Sequence, residues 1–296
     1  MPSPWPQTPP TAEERDAYAE AVPRSFWLDR RTAIASYPPL DGDASADLCV
    51  VGGGFTGLWA AIHAKSRQPD RTVLLVEADA IGEGASGRNG GFLSSSITHG
   101  IANGLSRFPD EIGRLERLGL ANFDGLRADL DRLGVDCDFE AVGEIAVAIE
   151  PHQFEHLAEE AELLAGHGHD VALLDGPAMR AEVDSPTYVG GLWDRSGSAL
   201  VDPAKLADGL AAAAAGLGVI VHERTRIERL ERSGAGLRLD AARGAIRADR
   251  VLLATNAFPP LRRALRRWIV PVYDYVLMTE PLPPERLAEI GWRNRQ

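Results

Sequence analysis

Two unbroken apolar runs, residues 48–51 and 73–76, flank an alanine-rich stretch with helical spacing, and they form the clearest pattern in the chain. Apolar runs of this length, closed by a glycine or an acid, read as strands buried on both faces. The segment 46–91 is therefore expected to form a β-α-β unit. Further on, Leu105, Phe108, Ile112, Leu115, Leu118, Leu126, Leu130 and Leu133 recur at helical intervals. Residues 143–149 read as a strand, 151–166 as a helix with Phe154, Leu157, Ala161 and Leu164 on one face, 178–183 as a short helix and 190–193 as a strand. Asp202 and Pro203 are helix-entry residues, the alanine-rich stretch behind them ends at Gly218, and 219–222 then reads as a parallel strand. Residues 226–230 and 237–239 read as short antiparallel strands and 250–254 as a buried one. Residues 271–279 alternate in period two and read as a strand of another sheet.

Ahead of all this lies an arm. Five of the first ten residues are proline, Thr11 and Glu14 form a capping-box spacing for a short helix, and Phe26, Trp27 and Leu28 are expected to dock the arm on the body. The element order predicts an α/β doubly wound sheet with an inserted second domain. The expected division is an arm at 1–45, a discontinuous cofactor domain at 46–104 and 190–267, and a substrate domain at 105–189 and 268–296.

Composition narrows the partners. A net charge of −12 disfavours a phosphate-backbone partner, so no nucleic acid is expected. No apolar run reaches membrane-span length, and the N-terminus lacks a basic segment followed by an apolar one, so a cytoplasmic protein is expected. The two cysteines, Cys49 and Cys137, make neither a metal spacing nor a disulfide framework, and no metal is expected.

The chemistry sits in the first β-α-β unit. The first strand runs into Gly52-x-Gly54-x-x-Gly57, and the second ends at Glu77. In a dinucleotide fold the first glycine permits the turn, the second admits a pyrophosphate and the third lets helix and strand pack closely. The helix starting near Phe55 and Thr56 aims unpaired N–H groups at the phosphates, and Glu77, with Ala78 beside it, stands where an acid accepts from ribose hydroxyls. FAD and a nicotinamide cofactor both fit this much. The chain then departs from a simple dehydrogenase with GEGASGRNGG, a loop able to bring backbone N–H groups against a second flat or charged ligand portion.

With GASGRNGG, LVDPAKLADGL, GVIVHERTRIERL and RVLLATNAFPP, most of the chain resembles the FAD-dependent D-amino-acid oxidase and glycine/sarcosine oxidase superfamily. SFWLDR and PVYDYVLMTEPL are similar to its gamma-glutamylputrescine oxidoreductase-like amine oxidases. The resemblance implies FAD, in a Rossmann-like doubly wound sheet with an inserted α+β substrate domain on an antiparallel sheet, the glutathione-reductase-type FAD fold, C-terminally truncated at Gln296. It implies that Ala85, Ser86, Arg88, Asn89, Gly90 and Gly91 lie along the pyrophosphate-to-flavin path, that Ile227 meets the adenine, and that Ala254, Thr255 and Asn256 close the cleft. Asn256 replaces the commoner glycine, and Asn tolerates unusual backbone angles.

The implied reaction oxidises the C–N bond of a small amine or amino acid, with oxygen or another acceptor reoxidising the flavin. No catalytic residue is assigned. Tyr273 and Tyr275 share one strand face and are candidates for the substrate side, with packing in the sheet core as the competing role. Met278, on the other face, reads as core. His99 reads as a surface residue, and His167 and His169 as a solvent-facing loop rather than a metal pair. Three readings stay open: a flavin amine oxidoreductase or the N-terminal portion of one, a non-catalytic remnant holding at most the ADP half of FAD, and an NAD(P)-dependent dehydrogenase.

Overall fold

The computed structural model describes residues 9, 11–16, 24–31, 36–272, 276 and 278–292. Its strands are β1 (Ala44–Val51), β2 (Val73–Val76), β3 (Phe92–Ser94), β4 (Glu144–Ala148), β5 (Val171–Asp175), β6 (Gly190–Asp194), β7 (Ser198–Leu200), β8 (Ile220–His222), β9 (Ile227–Ser233), β10 (Gly236–Ala241) and β11 (Gly244–Leu253). The main sheet has the order β8-β2-β1-β11-β10-β9. Its first four strands are parallel, and β10 and β9 continue it as an antiparallel meander.

Alternation along β1 and β2 explains why both runs are wholly apolar. Val50, Val73 and Leu75 face the Phe55–Arg67 and Pro203–Gly216 helices, packing with Leu58, Ile62, Leu206 and Leu210. Cys49, Val51, Leu74 and Val76 face the opposite side, among Leu40, Ile227, Leu239 and Ile246. All four residues of β2 are buried, as a central parallel strand requires. Each fully buried Leu or Ile here contributes roughly 1.5–3 kcal/mol. The Pro203–Gly216 helix begins as its sequence dictates: the Asp202 carboxylate accepts from the N–H of Ala204 (2.9 Å) and Lys205 (3.0 Å).

The insert departs from the large sheet through β3, which pairs with β7, and through two helices, Ile101–Arg107 and Ile112–Leu133. It carries a three-stranded antiparallel sheet, β4-β6-β5. Gly190–Asp194, placed by sequence at the start of the second cofactor-domain segment, is the central strand of that small sheet. Its two glycines explain this: a Cβ at Gly190 would lie 2.4 Å from Phe154, and one at Gly191 2.8 Å from Met179 Sδ, so the strand sits directly under the insert's helices. The strand expected over 271–279 lies partly outside the described residues, and its described part carries no strand.

His169 corrects the solvent-loop expectation. Its side chain is only 5% exposed, with Nδ1 2.7 Å from Asp194 and Nε2 3.2 Å from Glu116. It thereby ties the Ile112–Leu133 helix to the end of β6. The hydrogen bond to Asp194 is the main cause raising its pKa above the ordinary 6.5, and Glu116 adds to it against the opposing effect of burial. A raised folded value means the imidazolium's stabilisation of the fold is complete below about pH 6.5 and is lost as pH rises from there through the higher folded value. Urea midpoints are accordingly expected to fall across this range in the natural chain and to flatten in His169→Gln; an unchanged slope in the variant would remove His169 from the effect.

Both cysteines are free and buried. Burial pushes the Cys49 thiol up to about 12 and the Cys137 thiol up to about 11. Among the described residues no helix is long and apolar enough to cross a membrane.

Candidate functional site

The parallel strands β1, β2 and β11 end on one side of the sheet, and their carboxyl ends open into a cleft of about 610 Å³. That is where open α/β sheets bind ligands, and the size suits a cofactor or drug-sized molecule. The turn leaving β1 makes its floor. Gly52 has φ +117°, and a Cβ there would stand 2.4 Å from the Ala254 carbonyl oxygen at the end of β11. At Gly57 a Cβ would lie 1.9 Å from the Gly52 carbonyl oxygen, so Gly57 seats the helix on the turn and is buried behind the cleft. Gly54 opens to the cleft, with Ser86 Oγ 2.8 Å from the position of its absent Cβ.

Helix start and glycine-rich loop meet at that serine. The Phe55 N–H, first of the unpaired helix donors, donates to Ser86 Oγ at 3.0 Å. Glu77 holds the turn: its carboxylate accepts from the Gly53 N–H (2.7 Å) and the Asp79 N–H (3.0 Å). Each oxygen keeps further acceptor capacity toward the cleft that it lines.

Twelve of the residues singled out in the sequence line this cleft: Gly52, Gly54, Phe55, Thr56, Glu77, Ala78, Ala85, Ser86, Ile227, Ala254, Thr255 and Asn256. Asn256 takes the left-handed conformation, φ +46°, which glycine or asparagine tolerates best. Arg88, Asn89, Gly90 and Gly91 stand outside the lining. Arg88 turns back on its own loop, donating to the Glu83 carbonyl and carboxylate at 2.7 Å each. Asn89 knits the loop, donating to the carbonyls of Ser86 (2.8 Å) and Ala85 (3.2 Å) and accepting from the Gly91 N–H (2.9 Å). Tyr273 and Tyr275 lie outside the described residues, and Met278, expected in the core, is 50% exposed. His99 is exposed.

Several lining residues had gone unmarked: Asp79, Gly82, Glu83, Gly84, Arg226 and Phe258. Gly82 to Gly84 belong to the glycine-rich loop already noted, one step ahead of Ala85. Phe258 follows the Asn256 turn and lies over Gly84, where a Cβ would be 3.1 Å from its ring. Among the lining residues the acids are Glu77, Asp79 and Glu83, and the one cation, Arg226, is 3.3 Å from Asp79. A phosphate here therefore meets backbone N–H groups and a helix N-terminus rather than cationic side chains. The open face of Gly54, the helix start beside it and the acid at the end of β2 fit the adenosine and pyrophosphate portions of a dinucleotide.

A family profile described as FAD dependent oxidoreductase (DAO) matches residues 47–295. Gamma-glutamylputrescine oxidoreductase of Escherichia coli (strain K12) is 33% identical over 264 residues, 87% of this chain and 60% of that protein. A probable oxidoreductase, OrdL, of Haemophilus influenzae is 30% identical over 274 residues, 90% of this chain and 62% of that protein. Among solved structures, glycine oxidase from Geobacillus kaustophilus superposes with a TM-score of 0.63 at 23% identity, covering 73% of this chain and 56% of that one, a likeness of fold. The chain spans about three-fifths of the length of the two curated relatives.

Proposed function

Because the chain belongs to the FAD dependent oxidoreductase family, we propose that it forms the cofactor-holding part of an enzyme oxidising the C–N bond of a small amine or amino acid. The observation that carries this reading is the cleft itself, where the Gly52 turn, the Phe55 helix start, Glu77 and the 82–86 loop converge at the carboxyl ends of β1, β2 and β11. FAD, the family's cofactor, would supply the acceptor when bound, taking from the carbon beside the nitrogen a hydride that carries both electrons.

The chain's own residues hold and orient. Glu77 accepts from the ribose hydroxyls while keeping the turn in place through Gly53. The helix start at Phe55 and Thr56 faces the pyrophosphate, and the Ser86 hydroxyl is free to rotate its proton toward a phosphate oxygen while its own oxygen accepts from Phe55. Ile227 offers an apolar wall for the adenine, and Thr255, Asn256 and Phe258 complete the lining after β11. Support for an amine or amino acid as substrate comes from the names of the relatives, one acting on gamma-glutamylputrescine and another, a glycine oxidase, on an amino acid. Oxygen or another acceptor completes the turnover, and Tyr273 and Tyr275 remain the proposed substrate-side pair.

The test is anaerobic mixing of the FAD-loaded chain with small amines and amino acids. Bleaching of the visible flavin band by one class is the expected result. A loaded chain that no amine or amino acid bleaches would reject catalysis by this chain and leave it a holder of the cofactor.

A further inference from the structure

Two buried charged side chains outside the cleft's lining meet on a single residue, Ile81. Glu223, just past β8, is 2% exposed; one carboxylate oxygen accepts from the Ile81 N–H at 2.9 Å and the other from the Tyr37 N–H at 3.0 Å. Arg31, from the arm, has a side chain 6% exposed; its Nη2 donates to the Ile81 carbonyl at 2.9 Å, and its Nε stands 3.2 Å from the Asp208 carboxylate. Both backbone polar groups of Ile81 are thus held by ionised partners of opposite sign, and charge-assisted hydrogen bonds are the stronger kind.

Ile81 is also a hinge pin in the packing. Its side chain is 2% exposed, and its Cδ1 lies 2.6 Å from where a Gly53 Cβ would be. The next residue, Gly82, has φ +70° and donates its N–H to the Gly53 carbonyl at 3.0 Å. From Gly82 the chain passes directly into the 82–86 stretch that walls the cleft and ends on Ser86, the partner of the Phe55 N–H. The arm reinforces the same loop, with Ser25 Oγ donating to the Gly87 carbonyl (3.0 Å) and Trp27 Nε1 to the Asn89 carbonyl (2.8 Å).

We infer that Arg31 and Glu223 are positioning residues, a two-sided clamp on Ile81 that locks the 82–86 loop against the Gly52–Gly57 turn and so sets the affinity for the cofactor from outside the cleft. The clamp's link to FAD rests on the function proposed above; its effect on the loop does not. The arm is thereby part of the cofactor site, although the structure places none of its described residues in the lining.

The experiment compares the full chain with Arg31→Met, Arg31→Lys and Glu223→Gln, by amide hydrogen exchange and by titration with FAD. In Arg31→Met and Glu223→Gln the amides of 82–87 are expected to exchange about tenfold faster, with those of β1 and β2 unchanged, and FAD to bind about tenfold more weakly, the scale of one lost charge-assisted hydrogen bond. Arg31→Lys, which keeps a cation able to reach the Ile81 carbonyl, is expected to recover most of the protection. Unchanged exchange at 82–87 would overturn the clamp, as would a loss of protection spread equally over β1 and β2. A natural chain that takes up no FAD would overturn the cofactor reading alone, because the exchange comparison still decides the clamp.

Discussion

Gly57→Ala is expected to lower stability by about 3 kcal/mol, the upper range for an overpacked core, and to abolish FAD binding with it. The added methyl would stand 1.9 Å from the Gly52 carbonyl oxygen and 3.2 Å from Val50 Cγ1. The closest atom is backbone, so no rotamer change relieves the clash. The helix cannot shift as a body, since Leu58, Ala61 and Ile62 are fully buried against the sheet. The turn must open instead, and with it the contact between Gly52 and Ala254 that floors the cleft. Gly125→Ala is the matched control. Gly125 lies within the Ile112–Leu133 helix with nothing within 4 Å of its would-be Cβ. Alanine there is expected to stabilise by about 0.5–1 kcal/mol through backbone entropy. Urea denaturation of the two variants should therefore move in opposite directions, and a Gly57→Ala chain as stable as the parent would refute the close-packing role.

Glu77→Ala is expected to weaken FAD binding about a hundredfold, the sum of two charge-assisted hydrogen bonds of roughly 1.5 kcal/mol each. Two losses combine. The ribose loses its acceptor, and the N–H groups of Gly53 and Asp79 lose the carboxylate that now fixes them at 2.7 and 3.0 Å. Glu77→Gln separates the two, because its amide carbonyl still accepts from one N–H while its NH₂ cannot accept from the other. An intermediate affinity is expected for it. Isothermal titration of both variants checks the order, and equal affinities of parent and Glu77→Ala would show that the ligand does not touch this acid.

The parts of the molecule legible in its sequence are those whose cause is local. The strand–turn–helix around Gly52, Gly54 and Gly57 needs those glycines at that spacing, and Asp202 followed by Pro203 starts a helix whatever surrounds it. Glu77 follows from the length of the first unit. What stayed hidden depends on partners remote in the chain. Only the last residues of β11 stood out, because its first half, from Gly244 to Asp249, mixes polar and small residues and becomes a strand by pairing with β1 from Ala44↔Ile246 onward. His169 reads as a loop histidine until Glu116, 53 residues away, closes over it. Nothing in the sequence marks Glu223, whose partners Ile81 and Tyr37 are 142 and 186 residues distant. The glycine-rich loop shows in its glycines, but the side chains of Arg88 and Asn89 serve the loop's own shape, which only three-dimensional hydrogen bonding reveals.

The central claim is that the cleft at the ends of β1, β2 and β11 holds FAD by its adenosine and pyrophosphate portions. Titrating the purified chain with FAD while following flavin fluorescence, with ADP as competitor, tests it most directly. Saturable uptake of one FAD per chain, displaced by ADP and lost in Gly54→Val, is the expected result. A folded chain that shows no saturable uptake, or whose uptake ADP and Gly54→Val leave untouched, would contradict it.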